Sequence, residues 1–214
     1  MKIKADIYQR GKISVSMDGG MLFICPAIYW MDRAEGFERE LTPCEYETFV
    51  QTVVLPYCTE RAVNLLRYRD HSAKELKTKL CRLMSPLIAE TVIRSLAEKN
   101  YLNDAAYARR TAQRLSNGKR MSRQGVFREL IAKGIDKETA GEAVEALEID
   151  ETETLDEIVS HALCGKSADE KFWRRLYGRM LRLGYTPSAA AAALQRARKA
   201  DNGLDEVVFG GADE

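Results

Sequence analysis

Three amphipathic stretches, closing at Leu80, Leu130 and Met180, recur at a spacing of 50 residues. Each is studded with arginine or lysine and is entered through a serine or similar cap. A period of this length constrains the fold more than composition does. It signals stacked supersecondary units, each too small to bury its apolar face alone. Arrays of that kind expose extended surfaces, and their common use is binding.

Start and stop signals divide the array into helices. Ser72-Ala73-Lys74-Glu75 is a capping box ahead of Leu76, Leu80 and Leu83, and Ser85-Pro86 opens a helix that Asn100 closes. Asn103 or Asp104 begins a helix to about Leu115, Ser122 caps one that stops at Gly134, and Asp136 caps the next. Thr154-Leu155-Asp156-Glu157 and Ser167-Ala168-Asp169-Glu170 read as further boxes, Gly165 and Gly184 as stops, and Thr186-Pro187 as the start of a closing alanine-rich helix. The expected fold is mainly α, three tandem three-helix, helix-turn-helix-like repeats in an elongated array, over 58–101, 102–150 and 151–200. Ahead of them, residues 1–57 read as a small β-hairpin plus helix: Ile13, Val15 and Met17 alternate, Asp18-Gly19-Gly20 turns, and Met21 to Cys25 returns. Thr42-Pro43-Cys44-Glu45 starts the helix, which should stop near Leu55 before Pro56, and the segment should lean on the first repeat. An acidic, disordered tail is expected over 201–214.

Several function classes fall away. The chain shows no phosphate loop, no G-x-G-x-x-G, no nucleophile elbow and no H-E-x-x-H, so no catalytic residue is expected and the chain does not read as an enzyme. Cys25, Cys44, Cys58, Cys81 and Cys164 are odd in number and widely spaced, which points to reduced, mostly buried thiols rather than a disulfide framework. His71 and His161 have no second ligand at metal spacing, and Glu142, Glu145 and Glu148 read as a solvated helix face, so neither metal nor cofactor is expected. Without a signal peptide or membrane span, the expectation is a cytoplasmic protein.

The net charge of +1 conceals strong zoning. Residues 59–134 carry 17 basic and 7 acidic side chains, whereas 135–170 carry 2 and 12. Residues 171–200 hold 8 basic and no acidic ones. Basic zones attract phosphates or acidic protein faces. Helical geometry sets Lys74, Lys77 and Arg82 away from the apolar face of the first repeat, and Arg174, Arg175, Arg179 and Arg182 on the matching helix of the third. Arg109, Arg110, Arg114, Lys119, Arg120 and Arg123 gather at one helix end and loop of the second repeat. Asn117-Gly118 should make that loop adaptable, and it is the best single contact candidate. Of Tyr68, Tyr101, Tyr107, Phe127, Phe172, Trp173 and Tyr177, most should serve packing rather than base stacking.

The runs Arg69 to Leu80, Tyr101-Leu102-Asn103-Asp104-Ala105-Ala106-Tyr107-Ala108 and Glu129-Leu130-Ile131-Ala132-Lys133-Gly134-Ile135 resemble the RecX family of recombinase regulators. The resemblance covers about residues 59 to 200 and is closest over 62 to 136. Two places depart from the family pattern: Ser122 and Gly125 stand where a glycine and a basic residue are usual, and Asn103 replaces an aspartate. The resemblance implies a tandem-repeat regulator, not an enzyme. It would bind the RecA nucleoprotein filament, contact single- or double-stranded DNA non-specifically, act as a monomer away from membranes, and inhibit filament extension, ATP hydrolysis and strand exchange. Its contact set would be Arg69 and the basic residues named above. The competing reading is a helix-turn-helix transcription factor. A base-reading helix favours amides or arginine near its start and a dimer to double the site, whereas basic residues here spread over all three repeats.

Overall fold

The computed structural model describes residues 1–33, 36–164 and 169–208, with side chains to residue 199. Two compact units meet in sequence between Tyr107 and Ala108.

In the first unit the expected hairpin is present, as β2 (Lys12–Met17) and β3 (Gly20–Pro26). Asp18 and Gly19 take positive φ of 47° and 86°, the two-residue turn whose twist suits a hairpin. The sheet is larger than a hairpin, however. β1 (Lys2–Gln9) and β4 (Glu38–Glu40) complete the antiparallel order β3-β2-β1-β4. Lys2-Ile3-Lys4-Ala5-Asp6 alternates with Ile3 and Ala5 buried, which is a strand pattern in its own right. A short helix α1 (Ala27–Asp32) follows β3 and buries Trp30.

The expected helix start is also present. Thr42 and Glu45 form the capping box of α2 (Pro43–Phe49). The expected stop before Pro56 does not occur. The helix continues through a π-helical turn, Val50–Val54, into α3 (Leu55–Tyr68). Leu55 N–H reaches back five residues to the Val50 carbonyl, and the widened turn makes room for a proline ring that would break an α-helical ladder. Tyr29 Oη donates to the Val53 carbonyl at 2.7 Å.

α3, α4 (Ala73–Leu80) and α5 (Pro86–Glu98) form the first repeat. The turn after α4 closes the free edge of β3: Ile24 N–H donates to Leu83 O at 2.7 Å and Ser85 N–H to Leu22 O at 2.8 Å. Sheet and repeat share one core around Phe23, Val54, Leu76, Leu80 and Met84, so the N-terminal segment does lean on the first repeat. Asn100, at φ 58°, ends α5 as expected.

α6 (Asp104–Lys119), α7 (Arg123–Ala132) and α8 (Lys137–Glu145) form the second repeat; α9 (Glu151–Leu163), α10 (Glu170–Arg182) and α11 (Pro187–Val208) form the third. The 50-residue period marks equivalent core positions: Leu76, Val126 and Leu176 are buried, and Leu80, Leu130 and Met180 are wholly buried. Gly134 and Gly184, at φ 88° and 97°, end α7 and α10 with matched bonds, Ile135 N–H to Leu130 O and Tyr185 N–H to Met180 O.

Three expected helix ends need correction. Asp150, not Thr154, caps α9, accepting from Thr152 and Glu153 N–H at 2.8 and 3.1 Å. Asp169 caps α10, accepting from Phe172 N–H at 2.6 Å, while Gly165, Ser167 and Ala168 lie outside the described residues. α6 does not end near Leu115 but runs through Asn117 and Gly118 to Lys119. At the other end of the chain, α11 reaches Val208, so the acidic stretch from 201 begins as helix rather than as a separate tail; 209–214 lie outside the described residues.

Candidate functional site

Each second helix of a repeat offers one face to its core and the other to solvent. In α10, Trp173, Leu176 and Met180 are buried, and Lys171, Arg174, Arg175, Arg179 and Arg182 are exposed. At 100° per residue these cations spread over the arc opposite the apolar stripe. None of Arg174, Arg175, Arg179 and Arg182 has an acidic partner among the described residues. Gly178 lies within the same arc, so the helix surface is bare there except where the Arg182 guanidinium comes within 3.9 Å of the position a Cβ would take.

Lys74 in α4 and Arg82 in the turn after it are exposed as expected, but Lys77 is half-buried and pairs with Glu90 at 3.3 Å. Arg69, at the end of α3, approaches Glu75 at 3.9 Å. Such pairs contribute at most about 1 kcal/mol and give way readily to another anion.

The second repeat departs most from expectation. Arg109, Arg110, Arg114 and Lys119 are exposed along α6. The loop expected to be adaptable is instead short and tied down. Arg120 takes the left-handed conformation, φ 56°, that a glycine would otherwise supply. Its guanidinium pairs with Glu157 at 3.1 Å, and its carbonyl accepts the Tyr185 hydroxyl at 2.9 Å. Burial pushes that hydroxyl up to about 12, so it stays protonated and donates. Arg123 remains exposed but donates to the carbonyls of Leu147 at 2.7 Å and Ile149 at 3.3 Å. Both arginines are engaged within the unit, which accounts for two of the six candidates around that loop.

Gly125 has a structural reason. A Cβ there would overlap the Leu183 carbonyl, and one at Gly184 would overlap the Gly125 backbone. Ser122 N–H donates to Leu183 O at 3.1 Å across the same seam. The start of α7 and the end of α10 thus touch backbone to backbone, linking the second and third repeats.

A related device recurs at the 50-residue period. Ala73 N–H, at the start of α4, donates to the Asp104 carboxylate at 3.0 Å, and Arg123 N–H, at the start of α7, to the Glu151 carboxylate at 2.8 Å. In both cases the first helix of the following repeat supplies the anion to a first-turn N–H that the serine cap does not reach.

Among the remaining candidates, Tyr107 and Trp173 are buried, and Phe127, Phe172 and Tyr177 half-buried. Tyr68 and Tyr101 are 92% and 62% exposed and available to a partner. Only Cys25 and Cys58 are buried, with thiols pushed up to about 11 and 12 by burial; Cys44 and Cys164 are exposed and Cys81 half-buried, contrary to the expectation of mostly buried thiols. No group of three or more metal-ligating side chains occurs among the described residues. None of their helices is long and apolar enough to cross a membrane.

Residues 103–144 match the family model described as RecX, second three-helix domain. Over this domain the chain is similar to the RecX family. The chain is 25% identical over 173 residues to regulatory protein RecX of Listeria welshimeri, covering 78% of this chain and 62% of that one. It is 39% identical over 94 residues to regulatory protein RecX of Bacillus velezensis, covering 42% and 35%. The chain therefore spans less than two thirds of the length of these RecX relatives. In fold it is similar to a crystal structure of regulatory protein RecX, with a TM-score of 0.58 at 14% identity over 90% of this chain and 97% of that one. RecX from Lactobacillus salivarius gives 0.52 at 20% identity, covering 66% and 95%.

Proposed function

We propose that the chain regulates the RecA recombinase by binding the RecA nucleoprotein filament and restraining filament extension, ATP hydrolysis and strand exchange. The observation that carries this reading is the arginine face of α10, where Arg174, Arg175, Arg179 and Arg182 stand exposed without acidic partners among the described residues. A regular row of uncompensated cations on a rigid helix suits a phosphate backbone and reads no sequence. The regulatory RecX relatives supply the class of partner. Lys74, Arg82, Arg110, Arg114 and Lys119 extend the basic surface, and Arg69 and Lys77 join it by exchanging weak ion pairs. Arg120 and Arg123 are engaged by Glu157 and by the carbonyls of Leu147 and Ile149. The protein acts as a monomer in the cytoplasm, catalyses nothing itself and needs no cofactor.

A strand-exchange assay with RecA on single-stranded DNA tests the reading. Added protein should halt product formation, and Arg174→Glu with Arg175→Glu should restore it. Undiminished exchange together with tight binding to one duplex sequence would instead support a helix-turn-helix transcription factor.

A further inference from the structure

The second repeat contains a cleft of about 490 Å³ between α6 and the run that follows α8. On α6, Arg109, Gln113 and Asn117 recur every fourth residue along this cleft, exposed. None of the three makes a side-chain hydrogen bond or ion pair among the described residues. The opposite wall is Leu147-Glu148-Ile149, with Ala143 and Ala146 below it. Arg123 holds that wall from behind through the carbonyls of Leu147 and Ile149. Carbonyls two residues apart that meet one guanidinium face the same way, which is the alternation of an extended chain. By that alternation Glu148, between them, has its own N–H and C=O on the side away from Arg123, and Glu148 lines the cleft. Neither group has a partner among the described residues.

A single residue with both backbone groups free is half of a β-bridge. We propose that this cleft receives an extended polypeptide segment of a protein partner, which pairs its backbone with Glu148 and sets an acidic side chain against Arg109. The spacing of the facing wall agrees. Four helical residues advance about 6 Å, close to the roughly 6.6–6.8 Å spanned by two residues of an extended chain. Gln113 and Asn117 can therefore meet alternate peptide units, each amide both donating and accepting. Leu147, Ile149 and Ala146 offer apolar contact to the side chains between.

Charge separates a polypeptide from a nucleic acid here. The wall belongs to the segment with 12 acidic and 2 basic residues, Glu148 lines the cleft, and the C-terminal end of α8 adds the negative end of its dipole. Arg109 alone cannot draw a run of phosphates past those groups, but it can hold one carboxylate. The inference stands independently of RecA: a segment from any partner would show it.

The test uses the full-length, ¹⁵N-labelled protein and capped octapeptides of alternating valine and threonine with one aspartate. The expected result is saturable movement of the Glu148 backbone amide and the Gln113 and Asn117 side-chain amides. Binding should weaken at least tenfold in Ala146→Trp, which fills the cleft from an exposed position, and in Arg109→Ala. If Ala146→Trp disturbs signals of α10, the pair Gln113→Ala and Asn117→Ala replaces it with the same expected loss. Octapeptides that leave Glu148 unmoved, or bind the variants equally well, overturn the proposal. So does an oligothymidine octamer that moves the same amides.

Discussion

Gly125 and Gly118 sit in successive helices of one repeat and should respond oppositely to a methyl group. At Gly125 a Cβ would overlap the Leu183 carbonyl, and backbone cannot swing aside as a flexible side chain would. Gly125→Ala should therefore cost about 1–3 kcal/mol in urea denaturation, the usual range for forced overpacking. Gly118 is helical and a Cβ there meets nothing within 4 Å. Gly118→Ala should stabilise by roughly 0.5–1 kcal/mol, because only the entropic cost of a helical glycine is removed. His71 provides a third handle at this scale. It is buried, its Nδ1 lacks a hydrogen-bond partner, and Glu75 lies 3.6 Å away. Burial, then Lys79 and Arg69, lower its pKa below the ordinary 6.5, against the pull of Glu75. The unfolded chain then takes up the proton first as pH falls, so stability is full above about 6.5 and declines below it. His71→Gln should flatten that decline in denaturation curves recorded between about pH 7 and 5.5. The sequence shows why His71 sits beside a cap but not why it is buried, since the start of α6 meets this cap only in the fold, with Asp104 on Ala73 N–H and the Tyr107 hydroxyl on Glu75.

Among the elements, capping residues were the most legible signals and also misled most instructively. Thr42, Ser72, Ser85, Ser122 and Asp136 all cap the helices that their local patterns announce. Thr154-x-x-Glu157 satisfies the same pattern and lies inside α9, because the chain emerging from α8 places Asp150 first at the helix start. The hairpin was legible from its turn residues. β4 was not, since Glu38-Arg39-Glu40 has no apolar alternation and exists as a strand only because β1 offers an edge. Pro56 gives a stop signal that a π-helical turn overrides. The carboxylate braces belong to this scale as well. Glu151→Ala leaves the Arg123 N–H without its acceptor and should cost about 0.5–2 kcal/mol, as loss of an N-cap does. Arg123→Ala should cost at least as much in the same denaturation assay, because it strands the carbonyls of Leu147 and Ile149. If both variants match the wild type, the second and third repeats are not coupled through these bonds.

For the whole molecule, the zoned charge visible in the sequence shows where basic side chains concentrate but not which of them fold onto partners within the chain. Arg120 and Arg123 look like the best candidates in the linear sequence, yet tertiary structure ties both to acceptors 24 to 37 residues away. The arginines of α10 keep the exposure that helical periodicity predicts. Replacing Arg174 and Arg175 by alanine should therefore lower the slope of log affinity against log salt by about 0.7 for each phosphate of single-stranded DNA that is no longer neutralised. Folding stability should be unchanged within about 0.5 kcal/mol, as for substitutions on an exposed face. An unaltered slope would mean that this face meets something other than a phosphate chain. The central claim, that the repeats regulate a recombinase filament, is tested most directly by titrating the protein into RecA already assembled on single-stranded DNA and recording ATP hydrolysis. The account predicts that hydrolysis slows at ratios well below one protein per RecA subunit, because a block at few sites restrains a whole filament. Hydrolysis that stays constant at every ratio would contradict it.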